Sequence, residues 1–173
     1  DHADVLYAHN DAGDTARVFV FDTAGTSLAT LNLSGVTPVD WEDIAVGPCA
    51  AGSCLYVGDI GDNALGRAAG TASRFAGPAA PTGATAITGI EAFPFAYPDG
   101  MHNAETLLVH PTSGDVYVIT KEAVGTPSVV FKFPQPLVAD QTATLIEVVT
   151  LAFPTGAQPD VSGGDIDPCG SSV

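Results

Sequence analysis

The sequence predicts an all-β protein built from a repeated unit of strand hairpins. Short apolar runs alternate with turn residues, helical periodicity is nearly absent, and one unit of sequence occurs twice, at residues 41–59 and 104–120. Each copy has an acid, an apolar run, a turn led by proline and a second apolar strand. Glu105 follows Glu42 by 63 positions. A strand repeat of this size is typical of a β-propeller.

The strands are predicted where apolar and β-branched residues cluster between Gly, Pro, Asn, Asp and Ser. The turn sequences Asp22-Thr23-Ala24-Gly25 and Pro111-Thr112-Ser113-Gly114-Asp115 predict compact hairpin connections. Residues 65–85, rich in Ala, Gly and Pro, are expected to form a long loop with no more than one poor strand. The predicted strands are 5–8, 17–21, 27–33, 43–46, 54–58, 86–96, 105–109, 116–120, 128–133 and 144–153.

The repeat divides the chain into blade pieces at residues 1–41, 42–103, 104–160 and 161–173. Residues 6–11 align with 55–60, so the first strands are expected to be the later part of a blade. Residues 161–168 are predicted to start another inner strand. We therefore expect a single partial β-propeller domain of about three blades. A fragment of a longer product is favoured over a ring completed by copies or partners and over an open stack of sheets, and open blade edges are prone to association.

The charge of the chain excludes two classes of partner. Its 173 residues carry five Lys and Arg against twenty Asp and Glu, a net charge of −15, so nucleic acid and anionic membranes would be repelled. Cations are the expected partners, together with a small molecule or protein ligand whose identity stays open. No apolar run approaches the roughly 20 residues of a membrane span, so none is expected.

The cysteines bear on location. Cys49 and Cys54 bracket a short loop between two predicted strands, and a local disulfide there suits an exported protein. A metal site at these cysteines is less favoured, because no second Cys or His pair accompanies them. The chain starts at Asp1 and not at Met, which indicates processing or trimming. We expect an extracellular or periplasmic protein.

Several stretches of the chain carry a resemblance: His9-Asn10-Asp11-Ala12-Gly13, Asp40-Trp41-Glu42-Asp43-Ile44-Ala45, Gly58-Asp59-Ile60-Gly61-Asp62-Asn63, Arg67, Tyr97-Pro98-Asp99-Gly100, Asn103-Ala104-Glu105, Ile119-Thr120-Lys121 and Ser162-Gly163-Gly164-Asp165-Ile166. These stretches resemble a poorly characterised family of bacterial secreted six-bladed β-propellers, related to the esterase-like-phytase and gluconolactonase-type propellers. The resemblance covers nearly the whole chain in the right order and implies roughly three further blades after Val173. The sequence departs from the family pattern at two places. The segment after Arg67 is short and low in strand character, and Pro168-Cys169-Gly170 stands where such turns more often have Pro-Asp-Gly. Because propellers host many unrelated functions, no activity transfers.

Acidic residues predict a divalent-cation site. Glu42 and Glu105 hold the same repeat position and are expected to face the central channel. Oxygen-rich, sulfur-free sites suit Ca²⁺, although another divalent cation fits the same residues. The alternative is that these acids cap turns by accepting backbone hydrogen bonds. The predicted ligands are Glu42, Glu105, Asp59, Asp62, Asn63, Asn103 and Asp43.

Three functions stay open at this point. The first is a binding or scaffold module with a Ca²⁺ site. The second is a metal-dependent hydrolase of lactonase or phosphoesterase type, with His102 as the general base beside a metal-bound water. In that case Arg67 and Lys121 would anchor an anionic substrate group, unless they pair with Asp62 or Glu122. The third is a structural subunit of an extracellular assembly. Because only the second of these functions is enzymatic, the sequence does not decide whether the protein is an enzyme.

Overall fold

The computed structural model describes residues 4–50, 52–153 and 161–170. Within them the chain forms strands without any helix, which confirms the all-β class. No helix in this part of the chain is long and apolar enough for a membrane crossing. The strands are β1 (Val5–His9), β2 (Arg17–Asp22), β3 (Ser27–Leu33), β4 (Trp41–Cys49), β5 (Gly52–Asp59), β6 (Gly70–Phe75), β7 (Gly83–Ile87), β8 (Glu91–Ala96), β9 (Ala104–Val109), β10 (Val116–Thr120), β11 (Val129–Lys132), β12 (Ala143–Thr144) and β13 (Ile146–Thr150).

The strands form three sheets, none of them closed in the described residues. The first sheet has the order β1-β2-β3-β7, the second β4-β5-β6-β8-β12, and the third β9-β10-β11-β13. Neighbours pair antiparallel except at two places. There β7 runs parallel to β3, and β12 runs parallel to β8.

These two exceptions show that the chain repeats its topology. In β4–β8 and again in β9–β13, three antiparallel strands are followed by a strand that pairs with the preceding sheet, and then by one that returns. The prediction of single strands at 86–96 and 144–153 is therefore wrong. Gly89, with a φ of 69°, lies between β7 and β8 and redirects the backbone from one sheet to the next.

Packing between the sheets follows from the alternation of side chains along each strand. The first core lies between the first and second sheets and includes Trp41, Leu55 and Val57. The second core lies between the second and third sheets and includes Tyr56 from the same strand. Strand β5 is therefore buried on both faces, and Trp41 anchors the first core from β4.

Two further features join β4 to its surroundings. A Cβ on Gly47 would clash with the side chain of Val109, so the close approach of β4 to β9 requires glycine. The predicted disulfide between Cys49 and Cys54 is present and closes the β4–β5 turn. Cys169 is a free, exposed thiol.

Residues 161–170 differ from their prediction. They form no regular strand, and Ile166 instead packs against Leu108, Ile119 and Val130 of the third sheet. No neighbouring strand pairs with them in the described chain, so strand geometry is not imposed. The predicted boundary at residue 160 and the last three residues of the final blade piece lie outside the described residues.

Candidate cation site

Three carboxylates meet where the first sheet approaches β4. Asp11 follows β1, Asp40 immediately precedes β4, and Glu42 lies within it. One oxygen from each lies within 4.8 Å of the others, and the three together form the acidic triad. Asp40 and Glu42 are two positions apart, which places their side chains on one side of an extended chain. This geometry can hold a metal ion, which prefers several oxygens at 2.0–2.6 Å around a shared point.

Gly61 makes room for the triad. A Cβ at this position would clash with Asp40 Oδ2 and Glu42 Oε1. The backbone N–H groups of Ile60 and Gly61 both donate to the Asp40 carbonyl oxygen at 3.1 Å. These bonds fix the loop after β5 against the start of β4, so the two carboxylates lie directly over the glycine.

The electrostatics of the triad are unfavourable to three full charges. Burial raises the pKa of Glu42 to about 7, and the charges of Glu105, Asp11 and Asp40 add to this effect, while Lys121 opposes it. Burial also raises the pKa of Asp40, with a further contribution from Asp11 and partial compensation from Arg67. A bound divalent cation would compensate the buried charge and relieve the repulsion that adds to these shifts.

The two nearby cations are already paired with other carboxylates. Arg67 forms a salt bridge to Asp59 at 2.7 Å and donates to the Gly61 carbonyl oxygen at 2.6 Å. Lys121 forms a salt bridge to Glu105 at 2.7 Å. The expected alternative of ion pairing is therefore observed, with Asp59 and Glu105 in place of Asp62 and Glu122. Any role of Arg67 or Lys121 in binding a substrate would be shared with these pairs.

Asp43 and Asp59 bind backbone amides. Asp43 accepts hydrogen bonds from the N–H groups of Ile44 and Leu107, each at 2.8 Å. Asp59 accepts from Val39 at 2.8 Å and Asp40 at 3.1 Å, besides its salt bridge to Arg67. In this structure their oxygens hold β4 in place, as the turn-capping alternative expects.

Asp62, Asn63 and Asn103 form a junction between the second and third sheets. Asn103 Oδ1 accepts from the Asp62 N–H at 2.7 Å, and Asn103 Nδ2 donates to Asn63 Oδ1 at 3.3 Å. Asp62 accepts from the N–H groups of Gly66 and Arg67. Of the seven predicted ligands, Glu42 alone belongs to the triad, and Glu105 is close enough for its charge to raise the pKa of Glu42.

His102 lies between two carboxylates. Its Nδ1 is 2.9 Å from Glu122 Oε1 and its Nε2 is 3.1 Å from Asp99 Oδ1. The ring packs edge-on against Tyr97. The cavity beside it holds no more than about one water. A general base needs a free lone pair, so proton transfer by His102 would require release of the exposed Asp99.

The seven predicted ligands leave out Asp11 and Asp40, although Asp11 is also one of the additional oxygen donors that the sequence offers. Asp40 could have been found from its spacing of two residues from Glu42. The position of Asp11 beside Glu42 depends on a contact between β1 and β4, which belong to different sheets. No protein-family model, curated protein or solved structure matches the chain in the comparisons with known proteins.

Proposed function

We propose that this chain is an exported, acidic β-propeller-type module that binds a divalent cation, with Ca²⁺ as the preferred ion. The observation that carries the proposal is the convergence of Asp11, Asp40 and Glu42, the last two of which lie over the glycine at position 61. The bound ion would stabilise the junction between the first two sheets, because the triad draws on residues at both. The module then acts in binding or as a scaffold.

The donor set supports Ca²⁺ over softer metals. Only carboxylates contribute to the triad, and among the residues that the structure describes neither a thiolate nor an imidazole joins it. Hard oxygen donors suit Ca²⁺ and Mg²⁺, whereas Zn²⁺ is usually held by Cys and His. Asp11 is exposed, so water can complete a coordination number of six to eight, which favours the larger ion.

The repeated topology supports a propeller. Successive sheets stack face to face, β4 lies next to β1 and β9, and each repeat adds one strand to the sheet before it. In the proposed arrangement the three sheets are blades and these neighbouring strands lie nearest to the axis. The Cys49–Cys54 disulfide supports export, because such bonds persist in oxidising compartments.

Calorimetric titration of metal-free protein with CaCl₂ and separately with MgCl₂ tests the proposal. We expect one Ca²⁺ site per chain, weaker binding of Mg²⁺, and at least tenfold weaker Ca²⁺ binding in Glu42→Gln. Glu147→Gln is the matched control, because Glu147 is exposed on β13 and remote in sequence from the triad. Absence of Ca²⁺ binding, or equal binding by Glu42→Gln and wild type, would overturn the assignment.

A further inference from the structure

One face of the third sheet is apolar and only partly covered. A groove of about 480 Å³ runs over it, lined by Leu108, Tyr117, Ile119, Val130 and Val149, among others. Ile166 packs on this face as a buried side chain, and Val161 packs beside it half-buried. Val149 remains 48% exposed. Apolar faces of this kind mark sites of association.

In the first and second sheets, the face that corresponds to this one packs against the sheet that follows. Tyr7, Tyr56 and Tyr117 occupy the same position in β1, β5 and β10, in the second place of a Leu/Val-Tyr-Ala/Val sequence. Tyr7 packs into the core between the first and second sheets, and Tyr56 into the core between the second and third. Tyr117 lines the groove. Each tyrosine therefore lies on the face that meets the next sheet.

The first sheet has the complementary face. Leu6 and Ala8 flank Tyr7. They correspond to Leu55 and Val57, which pack against the preceding sheet in the first core. In the first sheet this face is open, and Leu6 is 56% exposed. Phe21 and Phe19 lie opposite Leu6 and Ala8 in the strand register and extend the apolar surface.

In the described chain, the first sheet lacks the inner strand that the other two sheets have. The second and third sheets begin with an inner strand, β4 or β9. The first sheet begins with β1 instead, and no described strand pairs with the edge of β1 at which an inner strand would lie. Residues 161–168 form no regular strand, but one of their hydrogen bonds has a counterpart in the inner strand β4. Asp165 accepts from the Ile166 N–H at 2.8 Å, as Asp43 does from Ile44.

We propose that two copies of this chain associate head to tail, with the third sheet of one copy packed on the first sheet of the other. Residues 161–168 of one copy then lie along the edge of β1 in its partner that pairs with no described strand, and they supply the inner strand. The interface is heterologous, since different surfaces meet. It continues the stacking already present between the second and third sheets.

Sedimentation equilibrium of the whole chain tests this proposal, with EDTA present so that cation binding plays no part. Every sample carries Cys169→Ser, because an exposed thiol can form disulfides between copies. We compare the parent with Leu6→Asp, with Val149→Asp, and with an equimolar mixture of these two variants. Val124→Asp is the control, because Val124 is 67% exposed and is not among the groove-lining side chains.

The parent and Val124→Asp should associate reversibly, and each face variant alone should associate at least tenfold more weakly. The mixture should recover heterodimers, because it combines one intact third sheet with one intact first sheet. A monomeric parent at hundreds of micromolar would overturn the proposal and would leave the face to some other occupant. Unchanged association of Leu6→Asp, or a mixture without heterodimers, would overturn the head-to-tail arrangement. Circular dichroism checks that each variant is folded.

Discussion

The carboxylate of Asp43 in β4 accepts a hydrogen bond from the backbone N–H of Leu107 in β9 at 2.8 Å. The two residues belong to different sheets, so this bond joins the second sheet to the third. The same carboxylate binds the N–H of Ile44 with its other oxygen. Burial raises the pKa of Asp43, and the two backbone hydrogen bonds oppose that shift.

Replacing Asp43 should destabilise the fold. In Asp43→Ala two backbone N–H groups lose their acceptor, which costs about 1–3 kcal/mol in the free energy of unfolding. Asp43→Asn should lose less, because its amide oxygen still accepts. Urea denaturation of these variants and of the exposed-site control Glu147→Ala measures the differences. Equal stability of Asp43→Ala and wild type would show that this bond is unimportant.

The pH dependence of stability should reveal Glu42. Its pKa in the folded chain is about 7, above the ordinary 4.5, because of burial and the charges of Glu105, Asp11 and Asp40. The folded state thus binds the proton more tightly than the unfolded state. Without cation, this group's stabilisation is fully present below pH 4.5 and is lost as the pH rises to 7.

Comparing Glu42→Gln with wild type isolates this contribution. In EDTA, the fall in melting temperature between pH 4.5 and 7 should be smaller in Glu42→Gln than in wild type. Ca²⁺ should raise the wild-type melting temperature most above pH 7, where no proton competes for the site. Identical profiles for the two proteins would contradict the assigned pKa.

Gly61→Ala should weaken cation binding without unfolding the chain. The added methyl group forces the carboxylates of Asp40 and Glu42 apart, and overpacking of this kind costs about 1–3 kcal/mol. We expect at least tenfold weaker Ca²⁺ binding by calorimetry. Gly66→Ala is the matched control, since a Cβ there meets no atom within 4 Å. Equal losses in the two variants would point to a general loop effect and would contradict the specific role of Gly61.

Removing the disulfide should lower stability moderately. Cys49 and Cys54 are five positions apart, and closing so short a loop stabilises by about 2 kcal/mol through the entropy of the unfolded chain. The double variant Cys49→Ala, Cys54→Ala should show this decrease in urea denaturation. Ca²⁺ affinity should be unchanged, because the disulfide lies at the opposite end of β4 from the triad. A loss of Ca²⁺ affinity would show that the two ends of β4 are coupled.

The strands of the repeat could be predicted because their chemistry is local. Residues 116–120 and 27–33 are β-branched or apolar runs bounded by turns, and both were confirmed as strands. The prediction of one strand over residues 86–96 is wrong because β7 and β8 are adjacent in sequence but pair in different sheets. Gly89 was the available hint that the run is interrupted.

The candidate site was predicted only in part, because its geometry is not local. The repeat predicts Glu42 as a ligand, but it also predicts Asp43 and Asp59, whose carboxylates bind backbone N–H groups instead. Carboxylates at turns satisfy amides as readily as they bind metals, and sequence alone does not distinguish the two. Asp11 joins the triad only through the packing of the first sheet near β4.

Terbium luminescence tests the central claim most directly. Trp41 is the single tryptophan of the chain and adjoins both Asp40 and Glu42, so Tb³⁺ in the triad should be sensitised when tryptophan is excited. We predict a luminescence signal that saturates at one ion per chain, is displaced by Ca²⁺, persists in Glu147→Gln and is lost in Glu42→Gln. A signal of equal strength in Glu42→Gln, or none in folded wild type, would contradict a cation site at Asp11, Asp40 and Glu42.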